Sequence, residues 1–491
     1  MSLINIQNLT FSYEGMNKNI FENVSFQIDT DWKLGLVGRN GRGKTTFLKL
    51  LLNELEYSGS ISSKVKFNYF PFAIENESNY VYEILWNICP DKEEWEIIRE
   101  FSYLNLDSGI YYNQYNTLSN GEKTKVLLAG LFLNDNNYLL IDEPTNHLDT
   151  EGRKVISNYL KRKKSFILIS HDRQFLDTCT DHILSINRCS IDVQQGNFSC
   201  WYENYINQQT FEMAQNEHLK KEINRLNNAS KRTSEWADKT ESAKYGNGPV
   251  DRGFIGHKAA KMMKRAKATE NRQMKAIEEK TNLLKNTEKT DKLKIECLEY
   301  RLNKLIQISE VQIKYDNKII CKPITFSVTA NERILLDGKN GSGKSSLLKL
   351  LIGENIEHTG IVNIPKDLKI SYIPQTFDNL QGNISNFATE NKIEEPLLRS
   401  ILNKLGFDKN DFSTNIKDMS QGQKKKILIA KSLSEKAHLY IWDEPLNYLD
   451  IFSRIQLEEL LDTYKPTMIF VEHDISFQNK IANTTYHTYK I

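Results

Sequence analysis

At 491 residues, 39% apolar and 26% charged, the chain has room for two or three domains, and its composition is neither disordered nor fibrous. No apolar run approaches the ~18–20 residues that cross a bilayer. The six cysteines are scattered without C-x-x-C spacing, which favours free thiols in a reducing cytoplasm over disulfides or zinc. The net charge of +2 is close to balance, but its distribution along the chain is not.

Met1-Ser2-Leu3-Ile4-Asn5 leads into a strand-like alternation, and a buried strand at Leu34-Gly35-Leu36-Val37 then runs into Gly38-Arg39-Asn40-Gly41-Arg42-Gly43-Lys44-Thr45. This reads G-x-x-x-x-G-K-[ST]. Its glycines let backbone N–H groups turn inward around phosphates, its lysine meets the β/γ oxygens, and its hydroxyl ligates Mg²⁺. Leu118-Ser119-Asn120-Gly121-Glu122 then precedes a helix from Lys123 to Leu133. The buried strand Tyr138-Leu139-Leu140-Ile141 ends in Asp142-Glu143, and Ser165-Phe166-Ile167-Leu168-Ile169 ends in Ser170-His171-Asp172.

The whole kit returns about 300 residues later. Arg333-Ile334-Leu335-Leu336 leads to Gly338-Lys339-Asn340-Gly341-Ser342-Gly343-Lys344-Ser345. Met419-Ser420-Gln421-Gly422-Gln423 precedes a helix from Lys424 to Leu433. Leu439-Tyr440-Ile441-Trp442 ends in Asp443-Glu444, and Met468-Ile469-Phe470-Val471 leads to Glu472-His473-Asp474. Two ordered copies predict two α/β domains, residues 1–197 and 292–491, each binding one ATP. The candidate nucleotide contacts also include Thr46 and Ser346, next to each loop.

Residues 198–291 differ from both copies. Helix-compatible stretches from about Trp201 to Glu241 and from about His257 to Lys285 flank Tyr245-Gly246-Asn247-Gly248-Pro249, Gly253 and Gly256. Helices do not carry such a cluster, so the segment reads as an antiparallel helical hairpin with its tip near 240–257. At 1.5 Å per residue the tip would stand ~50 Å from its base. From Glu217 to Lys285 there are 17 Lys/Arg against 9 Asp/Glu. Arg252, Lys258, Lys261, Lys264, Arg265 and Lys267 run without an intervening acid. The bland reading is a solvated helix face. The sharper one is contact with a phosphate backbone, with Lys244 beside the tip. Tyr245 and Phe254 would either stack on RNA bases or cap the hairpin's own small core.

Asp142 and Asp443 are expected to hold Mg²⁺ together with Thr45 and Ser345. Glu143 and Glu444 are expected to orient and deprotonate the attacking water. His171 and His473 recur at matching positions, which argues for contact with the γ-phosphate or that water. Ser119 with Gly121, and Ser420 with Gly422, form anion sites at helix N-termini. A second anion site is redundant within one domain. It makes sense closing on the other domain's ATP, so Lys44 would share a site with Ser420 and Gly422, and Lys344 with Ser119 and Gly121.

This order of motifs resembles the ATP-binding-cassette ATPases. The single-chain pair, the charged helical linker and Glu143-Pro144-Thr145-Asn146-His147-Leu148-Asp149 resemble their ABC-F subfamily over essentially the whole chain. The resemblance implies that Tyr13 and Tyr315 stack on adenine, and that Gln375 senses the γ-phosphate and Mg²⁺. It implies a ribosome partner, with rRNA and tRNA contacts in the exit-site region, and a cytoplasmic monomer with an internal pseudo-dimer and no membrane insertion. The chain has no room for an inserted arm, ends 18 residues after His473, and keeps a glycine-containing linker tip. It is thereby similar to the ribosome-protection proteins acting against lincosamides, pleuromutilins and streptogramin A. A housekeeping translation factor is the rival expectation, and an ATPase subunit of a membrane exporter a further one. Phe72 stands where the first domain would carry the counterpart of Gln375. Asn120 and Gln421 replace a signature glycine, and Leu446-Asn447-Tyr448-Leu449-Asp450 departs from the first domain's Thr-Asn-His form. Two non-equivalent ATP sites are expected.

Overall fold

The computed structural model describes residues 2–489, apart from 14–18, 73, 75, 135–136, 147, 188–190, 243–263, 265–266, 269–271, 273–274, 276–292, 316–317, 340, 378–379 and 409–410. The chain divides into two compact units, Met1–Trp201 with Asp291–Ile491, and Tyr202–Thr290. The first unit holds both copies of the repeated kit.

The unbroken apolar runs become central parallel strands, buried on both faces. In the first copy the sheet order is Lys66–Phe70, Asn137–Asp142, Phe166–Ile169, Lys33–Gly38, His182–Ile186 and Ile191–Gln195. Only the last pair is antiparallel. In the second copy the order is Ile370–Ile373, Leu439–Asp443, Met468–Val471, Arg333–Asp337 and Thr484–His487, parallel throughout.

A smaller antiparallel sheet accompanies each copy. Leu3–Phe11 sits between Phe21–Asp29 and Ser58–Ser62, and Lys304–Tyr315 pairs Ile324–Thr329 and His358–Asn363. These strands alternate, as one-faced sheets must, with Ile4, Ile6 and Leu9, or Ile306, Ile308 and Val311, turned into the core. The phosphate-loop helices Lys44–Leu51 and Lys344–Leu351 lodge Leu48 and Leu348 in the clusters that join the two kinds of sheet. This core fixes where each phosphate loop stands relative to the Asp-Glu strand.

The second unit is dominated by one helix, Phe198–Ser242. It begins three residues before the expected Trp201 because the Asn197 side chain accepts the Cys200 N–H at 3.1 Å, while Phe198 and Trp201 are buried. Leu219, Ile223 and Leu226 are half-buried, whereas Phe211, on the same expected apolar stripe, is exposed. Of the expected second arm, Lys264, Lys267, Ala268, Arg272 and Lys275 are described, all helical and exposed. The tip candidates Lys244, Tyr245, Arg252, Phe254, Lys258, Lys261 and Arg265 lie outside the described residues.

Candidate nucleotide sites

Each phosphate loop closes into its helix through a glycine in the left-handed region, Gly43 at φ 91° and Gly343 at φ 87°. A side chain there would be strained, and at Gly43 it would also meet Ile20 at 2.5 Å. Gly41 and Gly341 share that conformation at φ 78° and 76°. Gly38 ends its strand, and Gly338 directly follows the matching one. The Lys44 ammonium donates to the carbonyls of Gly38 and Arg39 at 2.8 and 3.3 Å and lies 3.4 Å from the Asn40 Oδ1. The Lys344 ammonium donates to Gly338 and Lys339 carbonyls at 2.6 and 3.0 Å. Burial lowers both lysines below their ordinary pKa, against the pull of Asp450, Glu143 and Asp142 on Lys44 and of Glu444, Asp337 and Asp443 on Lys344. Asn340 lies outside the described residues.

Tyr13 and Tyr315 each bond the helix behind the loop. Their hydroxyls meet Thr46 at 3.0 Å and Ser346 at 3.1 Å. Their rings remain partly exposed, so each presents an aromatic face beside a phosphate loop.

The parallel sheets bring the carboxylates to the same edge, at the strand ends where ligands bind in such sheets. The Thr45 hydroxyl donates to Asp142 at 3.0 Å, and the Tyr69 hydroxyl to the same oxygen at 3.1 Å. Tyr69 belongs to no motif in the sequence. Its position three residues before Phe72, on the neighbouring strand, is the signal that could have found it. Burial raises the Asp142 carboxyl, opposed by Thr45, Tyr69 and Lys44. Both Asp443 oxygens are closed off from solvent and have no well-formed hydrogen bond among the described residues, although the Ser345 hydroxyl stands beside them. Burial brings Asp443 up to about 6. An unsatisfied buried carboxylate next to a hydroxyl fits a hard cation with oxygen ligands. Thr45 with Asp142, and Ser345 with Asp443, would hold Mg²⁺, which would supply charge neutralisation at the phosphates.

Glu143 and Glu444 both adopt a left-handed backbone, φ 50° and 46°. Non-glycine residues rarely do so, and such strain clusters at sites of chemistry. Glu143 is raised to about 8 by burial and by Asp142, near the range where a base works best at neutral pH. The His171 Nε2 lies 3.4 Å from Glu143, and the His473 Nε2 lies 3.8 Å from Glu444. Burial holds both imidazoles neutral, His473 down to about 4. In the second copy the Gln375 amide donates to Glu444 at 2.8 Å, and Asn447 bonds its other oxygen. Phe72 is partly exposed and offers no such donor.

Ser119 and Ser420 are the N-caps of Asn120–Leu133 and Gln421–Ser434, each accepting from the third helical N–H in a capping box with Glu122 or Gln423. The second of these helices meets the first phosphate loop. The Asn40 amide donates to the Tyr448 carbonyl at 3.0 Å, and its N–H points to Asp450 at 3.4 Å. A Cβ on Gly422 would stand 2.7 Å from the Tyr448 carbonyl and 2.6 Å from the Asn40 side chain, so a side chain there would push the backbone aside. Lys44 and Gly422 therefore border one space. Across the other pairing, Lys339 lies 3.4 Å from Glu151. Arg173 and Glu458 form a further ion pair between the copies, and Arg39 lies over the Phe452 ring at 5.5 Å. The sequence carried no signal for these partners, which lie hundreds of residues apart.

Two phosphate loops, two Asp-Glu strand ends and a glycine-bearing helix from one copy set against the loop of the other define a tandem nucleotide-hydrolysing ATPase. The sequence profile of the ABC transporter family matches residues 21–146 and 321–447, and the chain belongs to that family. It is 27% identical to the ribosome protection protein VmlR of Bacillus subtilis, over 96% of this chain and 84% of that one. It is 29% identical to the ATP-binding protein Uup of Buchnera aphidicola, over 99% and 79%, and 25% identical to the probable ATP-binding protein YbiT of Escherichia coli, over 95% and 92%. In fold it is similar to archaeal ribosome recycling factor aABCE1, solved with the stalk protein aP1, at TM-score 0.62 and 18% identity over 98% and 89% of the two chains. No helix of the described residues is long and apolar enough to cross a membrane.

Proposed function

We propose that the chain is an ABC-F ATPase that works on the ribosome. Nucleotide binding draws the two cassettes together, and hydrolysis lets them part. The observation that carries this is the seating of Asn40 against Tyr448, Asp450 and Gly422, since a site built from both copies is complete only when they meet. Thr45, Asp142, Glu143 and His171 act with Ser420 and Gly422. Ser345, Gln375, Asp443, Glu444 and His473 act with Ser119 and Gly121. The Tyr202–Thr290 unit contacts rRNA and tRNA through Lys/Arg on phosphates. Its tip clears or reshapes the pocket for lincosamides, pleuromutilins and streptogramin A. Support for that finer role comes from the basic balance of the arm and from the match to a ribosome protection protein along nearly the whole chain. A housekeeping translation factor of the same subfamily is the second reading. The chain matches the ATP-binding proteins Uup and YbiT over 95% or more of its length, as it does the ribosome protection protein.

The test is co-sedimentation with bacterial ribosomes of a Glu143→Gln, Glu444→Gln double variant washed in ATP. Removal of both bases is expected to trap the closed state and hold the protein on ribosomes. Wash-off despite demonstrated ATP binding would count against the ribosome as target.

A further inference from the structure

The second cassette carries two buried charges behind its nucleotide site where the first carries hydroxyls. Lys425 has no solvent exposure, and Glu472 is 2% exposed. By the repeat, Lys425 corresponds to Thr124, Leu446 to Thr145 and Glu472 to Ser170. In the first cassette the Thr145 and Ser170 hydroxyls meet each other at 3.4 Å. In the second, the Lys425 ammonium donates to two backbone carbonyls, Pro374 at 3.1 Å and Asp443 at 3.2 Å. Those carbonyls immediately precede Gln375 and Glu444. The Glu472 carboxylate accepts the Leu446 N–H at 3.1 Å and the His473 N–H at 2.8 Å. It thereby binds the chain that leaves Glu444 and the chain that enters His473.

Four hydrogen bonds from two side chains thus reach the backbone on each side of the Gln375–Glu444 contact. Buried charges cost free energy unless they are paired and fully bonded. Burial depresses Lys425 to about 8 while Asp443, Glu472 and Glu444 sustain its charge. Burial raises Glu472, and Arg454 and the His473 N–H counter it. Both charges are buried, and neither is needed to build the fold, because the first cassette forms the corresponding parallel strands with neutral residues. Their common effect is on the position of the second site's groups.

We propose that Lys425 and Glu472 are positioning residues that hold Gln375, Glu444 and His473 in working register for hydrolysis at the second site. This rests on the reading of Glu444 as the base of that site. The second site is thereby braced by two buried charges, where the first has Phe72, Thr124 and the Thr145–Ser170 hydroxyl contact.

The experiment uses the full chain with the first cassette's residues moved into the second, Lys425→Thr, Leu446→Thr and Glu472→Ser together. The triple variant is expected to keep its circular dichroism, to bind a fluorescent ATP analogue within ~2-fold of the parent, and to lose ~10-fold in kcat, as misplaced groups do. Lys425→Arg, which can still reach two carbonyls, is expected to stay within ~3-fold of the parent kcat. Turnover of the triple variant within ~2-fold of the parent, or a loss residing wholly in nucleotide affinity, overturns the proposal. Should the triple variant not fold, Lys425→Gln is judged by the same split between kcat and affinity. Glu444→Gln separates the two claims. If it loses less than ~10-fold in turnover, the reading of Glu444 fails; if it loses ~10-fold or more while the triple variant is unaffected, only the brace fails.

Discussion

Lys424, Lys425 and Lys426 show how little of a residue's role follows from its type. Lys424 donates outward to the Lys417 carbonyl at 2.8 Å, Lys425 is sealed behind the second site, and Lys426 is buried against Asp450 at 2.8 Å. In the sequence they are one basic run at a helix start, and such runs are usually solvated. The phosphate-loop lysines and the Asp-Glu pairs were legible because backbone chemistry imposes their spacing. The left-handed φ of Glu143 and Glu444 was not, because no local residue demands it. The two sites differ most at one residue, Phe72 against Gln375. Glu444 has an amide donor on each carboxylate oxygen, while Glu143, with the His171 backbone and imidazole beside it and the charges of Asp142, Arg454 and Lys44 acting on it, has no counterpart of the Gln375 amide and a raised pKa. The first site is expected to act as the slower clamp. Steady-state ATPase assays should show Glu444→Gln losing ~10-fold or more, and Glu143→Gln losing less, given what one general base contributes. A larger loss from Glu143→Gln would reverse the assignment.

At the scale of elements, the junction between the loop ending at Asp450 and the helix Ile451–Tyr464 concentrates the energetics. Asp450 caps that helix through the Ser453 N–H at 2.8 Å, accepts Lys426 at 2.8 Å, and receives the Asn40 N–H from the other cassette. Although burial opposes ionisation, Lys426 holds the Asp450 carboxyl far below its ordinary range. Breaking a buried pair from one side costs about 3–5 kcal/mol, so Lys426→Met should lose that much in urea unfolding at pH 7. The sign with pH follows from the depressed carboxylate. The pair's contribution is complete above the unfolded carboxyl pKa of about 3.9 and declines as pH falls below it toward the depressed folded value. The variant has no such contribution to lose. The gap between the two proteins should therefore narrow below about pH 4. A gap that is constant with pH would mean that Asp450 is not held ionised by Lys426. The unbroken apolar runs foretold the strands on either side of this junction. They said nothing of the junction, whose partners are up to 410 residues apart.

Over the whole molecule, charge separates what composition averages. A near-neutral chain places 17 Lys/Arg against 9 Asp/Glu between Glu217 and Lys285. Lys264, Lys267, Arg272 and Lys275 are exposed and helical there. If they meet phosphates, ribosome affinity should fall steeply with salt. The fourfold alanine variant should flatten the slope of log K against log salt by roughly 0.7–0.9 for each phosphate left without its cation. An unchanged slope would assign these residues to solvent. The long helix Phe198–Ser242 was legible from its helical spacing, while the expected tip, with its glycine cluster, lies outside the described residues. The meeting of the cassettes was legible only as the redundancy of a second anion site.

The bonds of Lys44 and Lys344 to their own loop carbonyls set the terms on which a nucleotide arrives. Each ammonium already has acceptors, so wherever a phosphate takes over one of the N–H groups now on a carbonyl, its uptake is an exchange of partners. The gain is the difference between a charged phosphate oxygen and a neutral carbonyl, together with whatever the released carbonyls then find in water. Departure runs the same exchange backwards, and the carbonyls receive the lysine without leaving a buried charge unbonded. A loop built this way binds and lets go at modest cost in both directions, which suits a protein that must return to its starting state after every turnover.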